Sequence, residues 1–251
     1  MTAPVLETRA LQKNFGGIVA TQALSLRLMR GARHALIGPN GAGKTTLVNL
    51  LTGMLAPSGG SIHLDGVDIT AMPAHRRARL GLVRTFQINQ LFDGMTPLEA
   101  VALTIAERNG TGARFWRPLA HDLAVAGEAA ELLSRLHLAD AMHTPTTTLP
   151  YGKRRLLEIA IALASKPRVL LLDEPVAGVP ATESRDILET IAALPDDVTV
   201  LLIEHDMDLV FRFATNISVL VNGALFAEGT ATAIAADPRV RAVYLGEPAD
   251  A

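Results

Sequence analysis

Two short stretches place residue types in an order that could perform phosphate chemistry. The first, "GPNGAGKTT" from Gly38 to Thr46, fits G-x-x-x-x-G-K-[ST]. It follows the apolar run "HALI" and precedes a helical pattern, the context in which this spacing builds a phosphate cradle. Its glycines let successive backbone N–H groups turn inward around a triphosphate, and the helix N-terminus adds the positive end of its dipole. Asn40, Gly41, Ala42, Gly43, Lys44, Thr45 and Thr46 are therefore the expected nucleotide contacts. Lys44 supplies a point charge to the β- and γ-phosphates, and Thr45 a hydroxyl for Mg²⁺. The second stretch, "RVLLLDEP", reads as a buried strand that delivers Asp173 at its C-terminal end, where open α/β sheets bind ligands. Asp173 can hold Mg²⁺ through its water shell, and Glu174 is placed to polarise an attacking water as general base.

The elements that must position these groups read as α/β. "HALIGPNG", "RVLLLDEP", "VTVLLIEHD" and "NISVLVNG" are near-continuous apolar runs, the pattern of parallel strands covered on both faces. Helical patterns lie between them, such as Thr182–Leu194. Between Gln87 and about Lys166 the strand signal disappears. There "MTPLEAVALTIAERNG" opens with a capping box, Thr96 to Glu99, with Pro97 at the first helical position. "DLAVAGEAAELLSRLHL" is a further amphipathic helix. A helical subdomain, 88–166, is thus expected within a core formed by 1–87 and 167–251. "GTGARFWRP", with the single Trp, reads as a packed loop.

Composition narrows the classes. The 251 residues suffice for one large domain with an inserted subdomain. Zero cysteines exclude disulfides and thiol chemistry and fit a reducing compartment. A net charge of −2 without a basic cluster argues against nucleic acid as a partner. No apolar run reaches the roughly 18 residues of a membrane span, and the N-terminus shows no signal-peptide pattern. A soluble chain is expected, with a mean hydropathy of +0.28 that leaves room for an apolar docking surface.

With the phosphate loop and "LLLDEP" in place, the chain resembles the ATP-binding subunits of ABC transporters over nearly its whole length. The resemblance implies a P-loop NTPase core with a mostly parallel sheet, an N-terminal antiparallel β part and the inserted helical subdomain. Phe15 in "KNFGG" matches the aromatic that stacks on adenine. Gln87 in "VRTFQ" matches the Gln that links Mg²⁺ and the attacking water to the transmembrane partner. "LPYGK" corresponds to the signature motif, so Pro150, Tyr151, Gly152 and Lys153 would cap the ATP of a second subunit in a head-to-tail pair. "VAGVP" corresponds to the loop after the catalytic Glu, and His205 in "LLIEHD" to the switch histidine. The other six histidines (34, 63, 75, 121, 137 and 143) show no metal-ligand spacing and are expected to be structural.

"GLVRTFQINQLFDGMTPLEAV" and "DPRVRAVYLGE" look specifically like the branched-chain amino-acid importer subfamily. That implies ATP and Mg²⁺ as cofactors and a second ATP-binding subunit, identical or paralogous. It also implies two permease subunits, with a periplasmic or extracellular solute-binding protein acting indirectly, and a peripheral place on the cytoplasmic face of the bacterial inner membrane. Ile88, Leu91 and Phe92 beside Gln87 suggest a groove for a coupling helix. The alternative from another class is a soluble ABC ATPase acting on ribosomes or DNA. Such proteins usually carry two ATPase halves or a long coiled-coil insertion, and this chain has neither. An inactive structural subunit is disfavoured because Lys44, Asp173, Glu174 and His205 are all present.

Three departures from the family pattern stand out. Pro150 replaces a Ser whose hydroxyl and N–H would meet the γ-phosphate, and Lys153 replaces a Gln, adding positive charge. A weakened or retuned cap is expected, built on the N–H groups of Tyr151, Gly152 and Lys153. Pro180 stands where Asp or Asn is common, so the cross-dimer contact of that side chain is missing.

Overall fold

The structure, a computed structural model, describes residues 3–85, 94–111 and 123–245. It divides into two compact units: Met1–Arg84 with Arg168–Glu174 and Pro195–Ala251, and Thr85–Pro167 with Pro175–Leu194.

The first unit is built on two sheets. In the six-stranded sheet the order is β11 (Ala224–Thr230), β10 (Asn216–Val221), β4 (Arg33–Ile37), β9 (Thr199–Ile203), β8 (Val169–Asp173) and β7 (Leu82–Arg84). β10, β4, β9, β8 and β7 run parallel, and only β11 pairs antiparallel, with β10. Burial explains the near-continuous apolar runs: all five residues of β9 and the first four of β8 are buried, so no face of these strands can be polar. The register aligns Asp173 with Ile203 and Leu36 with Ile203, which brings the C-terminal ends of β4, β8 and β9 to one edge.

The second sheet is antiparallel. β1 (Pro4–Phe15) pairs with β2 (Ile18–Leu24), β3 (Arg27–Met29) and β5 (Gly59–Leu64), and β5 with β6 (Val67–Asp68). α1 (Lys44–Thr52) buries Leu47, Val48, Leu50 and Leu51 in a core shared with Leu36, Leu171 and Leu201. α2 (Ala74–Arg79) carries the fully buried Arg77, whose guanidinium donates to the carbonyls of Leu50 and Leu51 at 2.7 Å each. Those are last-turn carbonyls of α1, where helices leave acceptors open, and the Leu50 carbonyl also accepts the Gly53 N–H at 3.2 Å, so Arg77 locks the far end of the phosphate-loop helix.

The second unit is helical: among its described residues it has no strand. α3 (Pro97–Arg108) opens on the expected capping box. Thr96 N–H donates to Glu99 Oε2 at 2.7 Å, and Glu99 N–H donates to Thr96 Oγ1 at 3.3 Å. α4 (Leu123–Arg135), α5 (Tyr151–Ala164) and α6 (Ala181–Ala192) complete this unit. Arg108 ties it together by donating to both oxygens of Glu128, at 2.9 and 2.8 Å, and to the Ala164 carbonyl at 2.7 Å. The Trp-containing loop and Gln87, Ile88, Leu91 and Phe92 fall outside the described residues.

Candidate active site

Ile37 ends β4, and the chain turns through Gly38–Gly43 into α1. Gly43 sits at a φ of +97°, and a Cβ there would lie 2.5 Å from the Ala20 carbonyl oxygen, so only glycine fits. Gly43 caps α1 without a side-chain hydrogen bond, and the first turn holds no acidic residue. The N–H groups of this helix start therefore face no competing carboxylate of their own turn, which suits an anion. Lys44 Nζ donates to the carbonyls of Gly38 and Pro39, at 2.5 and 3.1 Å, and arches over the loop. Burial lowers the Lys44 pKa, while Glu174 and Asp173 pull it back up. Asn40, Gly41 and Thr45 are exposed, whereas Ala42 is buried and Thr46 half-buried.

The two acids follow from strand register. Asp173 is the last residue of β8, and its Oδ2 accepts from Arg84 Nη2 at 2.6 Å. Arg84 also donates to Asn49 Oδ1 of α1 at 2.9 Å. Glu174 adopts a φ of +46°, a left-handed backbone that costs a non-glycine residue roughly 1–3 kcal/mol. Its N–H donates to Ile203 O on β9 at 2.9 Å, which holds that bend in place. One strand over, Glu204 and His205 follow β9, and Asp206 caps α7 (Met207–Phe213) by accepting from Asp208 and Leu209 N–H. His205 is thus pinned between a strand end and a capped helix. Its Nδ1 lies 3.6 Å from Glu174 Oε1, and its side chain is 66% exposed.

Phe15 ends β1 at the tip of the β1–β2 hairpin, 47% exposed, with Lys13 Nζ 5.0 Å from the ring centroid. One face of the ring therefore already meets a cation.

The residues 150–153 open α5. Pro150 is the N-cap, with φ −54° and ψ 153° and no side-chain hydrogen bond. Tyr151 is exposed, and its hydroxyl donates to the Ala177 carbonyl at 3.1 Å and accepts from Arg155 at 3.0 Å. Two features alter the sequence reading. Gly152 N–H is not free: it donates to Glu183 Oε2 at 3.0 Å. A Cβ at Gly152 would lie 2.2 Å from that oxygen, so the close seat requires glycine. Lys153 is ion-paired with Asp140, so its charge is neutralised within the chain rather than left open. Pro180 is the N-cap of α6, and its carbonyl accepts from Glu183 and Ser184 N–H. Both helices thus start on a proline that offers no side-chain acceptor, and Glu183 in the first turn of α6 serves the start of α5.

The donor set suits Mg²⁺ held mainly by phosphate and water. Among the described residues no group of three or more acidic, His or Cys side chains could cage a metal. The exposed Thr45 hydroxyl and the Asp173 carboxylate are hard oxygen donors of the kind Mg²⁺ takes one or two of.

Arg84, Glu183 and Glu204 were not identified from sequence. Arg84 lies three residues before Gln87, and Glu204 directly before His205; proximity to named site residues was the only available signal.

The model of the family described as "ABC transporter" matches residues 21–177, and that of "Branched-chain amino acid ATP-binding cassette transporter" matches residues 224–250. The chain is 41% identical to the high-affinity branched-chain amino acid transport ATP-binding protein BraF of Pseudomonas aeruginosa, covering 98% of this chain and 100% of that protein. It is 38% identical to LivG of Escherichia coli, a protein of the same description, with the same coverage of both. Among solved structures it is similar to an ATP-binding cassette of an ABC transporter in its ADP conformation, at TM-score 0.85 and 32% identity, covering 98% of this chain and 100% of that one. A nucleotide-free cassette gives TM-score 0.84 at 31% identity, covering 97% and 100%.

Proposed function

The chain belongs to the ABC transporter family of ATP-binding subunits, and from that premise we propose that it powers an importer for branched-chain amino acids or related small solutes. The observation that carries this reading is the meeting of Lys44, Asp173, Glu174 and the His205 ring at the C-terminal edge of one parallel sheet.

In this reading the loop N–H groups and Lys44 hold the β- and γ-phosphates, and Phe15 offers its exposed ring to adenine. Mg²⁺, held by Thr45 and Asp173, would neutralise charge on the phosphates. Glu174 takes the proton of the attacking water, and His205 orients it towards the γ-phosphate. The left-handed backbone of Glu174 ends the strand at that residue, and its carboxylate lies 3.6 Å from the His205 ring. Lys44, Asp173 and Glu174 surround one side of the phosphates only. The missing side is supplied by α5 of a second ATP-binding subunit in a two-fold pair, with the Tyr151 and Lys153 N–H groups as donors, the Gly152 N–H being held by Glu183.

In this reading the pore is formed by two separate permease chains, in keeping with the finding that no helix among the described residues is long and apolar enough to cross a membrane. Docking on them places this subunit peripherally on the cytoplasmic face, with a solute-binding protein acting across the membrane. Co-expression with the permease genes beside its own tests this directly. The subunit should appear in the membrane fraction and copurify with the permeases; recovery only in the soluble fraction would instead favour an ATPase uncoupled from transport.

A further inference from the structure

Glu204 has no part in the reaction outlined above, yet its position is unusual for a carboxylic acid. Its side chain is 1% exposed, and one oxygen, Oε1, has no hydrogen-bond partner. Its other oxygen accepts the His205 backbone N–H at 3.1 Å and lies 3.7 Å from His205 Nδ1. The same Nδ1 lies 3.6 Å from Glu174 Oε1. One ring nitrogen thus faces two carboxyl groups, from the ends of adjacent, register-locked strands.

Burying an acid with an unpaired oxygen costs stability, and such a cost persists where the group serves function. A neutral imidazole carries one ring proton, and the acceptors around a nitrogen decide which nitrogen holds it. We propose that Glu204 is a positioning residue of the hydrolytic site: with Glu174 it fixes the proton on His205 Nδ1 and so leaves a lone-pair-bearing Nε2 to accept a hydrogen bond from the attacking water. Glu174 alone cannot serve this purpose through a catalytic cycle, because it must release His205 whenever it engages the water. Glu204, buried behind the ring and held by the His205 N–H, stays in place. Burial raises the Glu204 pKa and Glu174 adds to that rise, while the His205 N–H and ring oppose it. Its contact with His205 favours the anion.

The proposal rests on His205 acting in hydrolysis, and the experiment separates the two. Steady-state ATPase kinetics, melting temperature and long-range ¹H–¹⁵N spectra of histidine-labelled protein are measured for wild type, Glu204→Gln, Glu204→Leu and His205→Gln, the last also assigning the His205 signals. Glu204→Gln preserves volume and an acceptor for the His205 N–H but removes the charge; kcat is expected to fall about tenfold. Glu204→Leu removes both, and kcat is expected to fall about a hundredfold with the Nδ1–H tautomer lost. KM for ATP should stay within about twofold in both variants, since neither touches ground-state phosphate contacts. Melting temperature should be unchanged or higher in Glu204→Leu. If that variant does not fold, Glu204→Gln carries the test alone. Wild-type kcat in the Glu204 variants, an unchanged tautomer, or kcat falling only in step with melting temperature would overturn the proposal. Unchanged turnover in His205→Gln would instead overturn the underlying role of His205.

Discussion

Replacing Pro150 by Ser separates two uses of one helix start. Pro150 is the N-cap of α5 and bonds nothing through its side chain. A Ser there gains a helix cap worth about 1 kcal/mol when both N2 and N3 donors are open. The N2 donor, Gly152 N–H, is already held by Glu183 at 3.0 Å, so only the Lys153 N–H is left to accept from. That reduces the gain to roughly half, or about 0.5 kcal/mol. Losing proline frees the unfolded chain and costs about 0.4–1 kcal/mol. The two effects nearly cancel, so the melting temperature should move by less than about 2 °C. The rate should respond differently. A hydroxyl offered to a γ-phosphate across the dimer makes a charge-assisted hydrogen bond of about 1.5–3 kcal/mol, an upper range of roughly 10- to 150-fold in rate. Turnover of the purified chain at saturating ATP should rise about tenfold, because part of that energy also stabilises the ground state. A coupled ATPase assay and a thermal melt on the same preparation measure both. An unchanged rate would refute the placement of α5 against a phosphate. A melting temperature raised by about 2 °C with no gain in rate would show the hydroxyl spent on its own helix.

Glu174→Gln should trap an ATP-bound dimer visible by size-exclusion chromatography, because phosphate binding survives while water activation fails; unchanged turnover would remove Glu174 from that role. Lys44→Ala removes a charge-assisted phosphate contact and should weaken ATP binding by about 1.5–3 kcal/mol, roughly 10- to 150-fold by fluorescence titration. His34 is 1% exposed, its Nε2 is paired with Ser218 Oγ at 2.8 Å, and burial pushes its pKa down to about 4. The unfolded chain binds this proton near pH 6.5 and the folded one does not, so stability falls as pH drops through that window. The loss should be roughly 1 kcal/mol between pH 7.5 and 5.5, reaching about 3 kcal/mol below pH 4. Denaturant melts of wild type and His34→Gln isolate this slope from that of Glu204, whose raised pKa acts in the opposite sense.

Much of the architecture was legible because its causes are local. The apolar runs ending in Gly38, Asp173 and Glu204 could only be strands buried on both faces, and β4, β8 and β9 are just that. Thr96, Pro97 and Glu99 announce a helix start through contacts three residues apart, and both reciprocal bonds form. The phosphate loop is equally local, since its glycines, Lys44 and helix start are consecutive.

The pairings that tune the site were not legible. Arg84 meets Asp173 across 89 positions, Gly152 meets Glu183 across 31, and Lys153 meets Asp140 across 13. No periodicity relates such partners; they meet because register and helix packing bring them together. Lys153 shows the consequence: by residue type it adds charge to the cap, but Asp140 neutralises it. The sequence by itself named the candidate groups for chemistry, because a phosphate cradle and a strand-end acid pair are written in neighbouring residues. Only the tertiary structure decided which of those groups are already engaged. A hydrogen bond or ion pair depends on distance in space, and the chain order does not contain that distance.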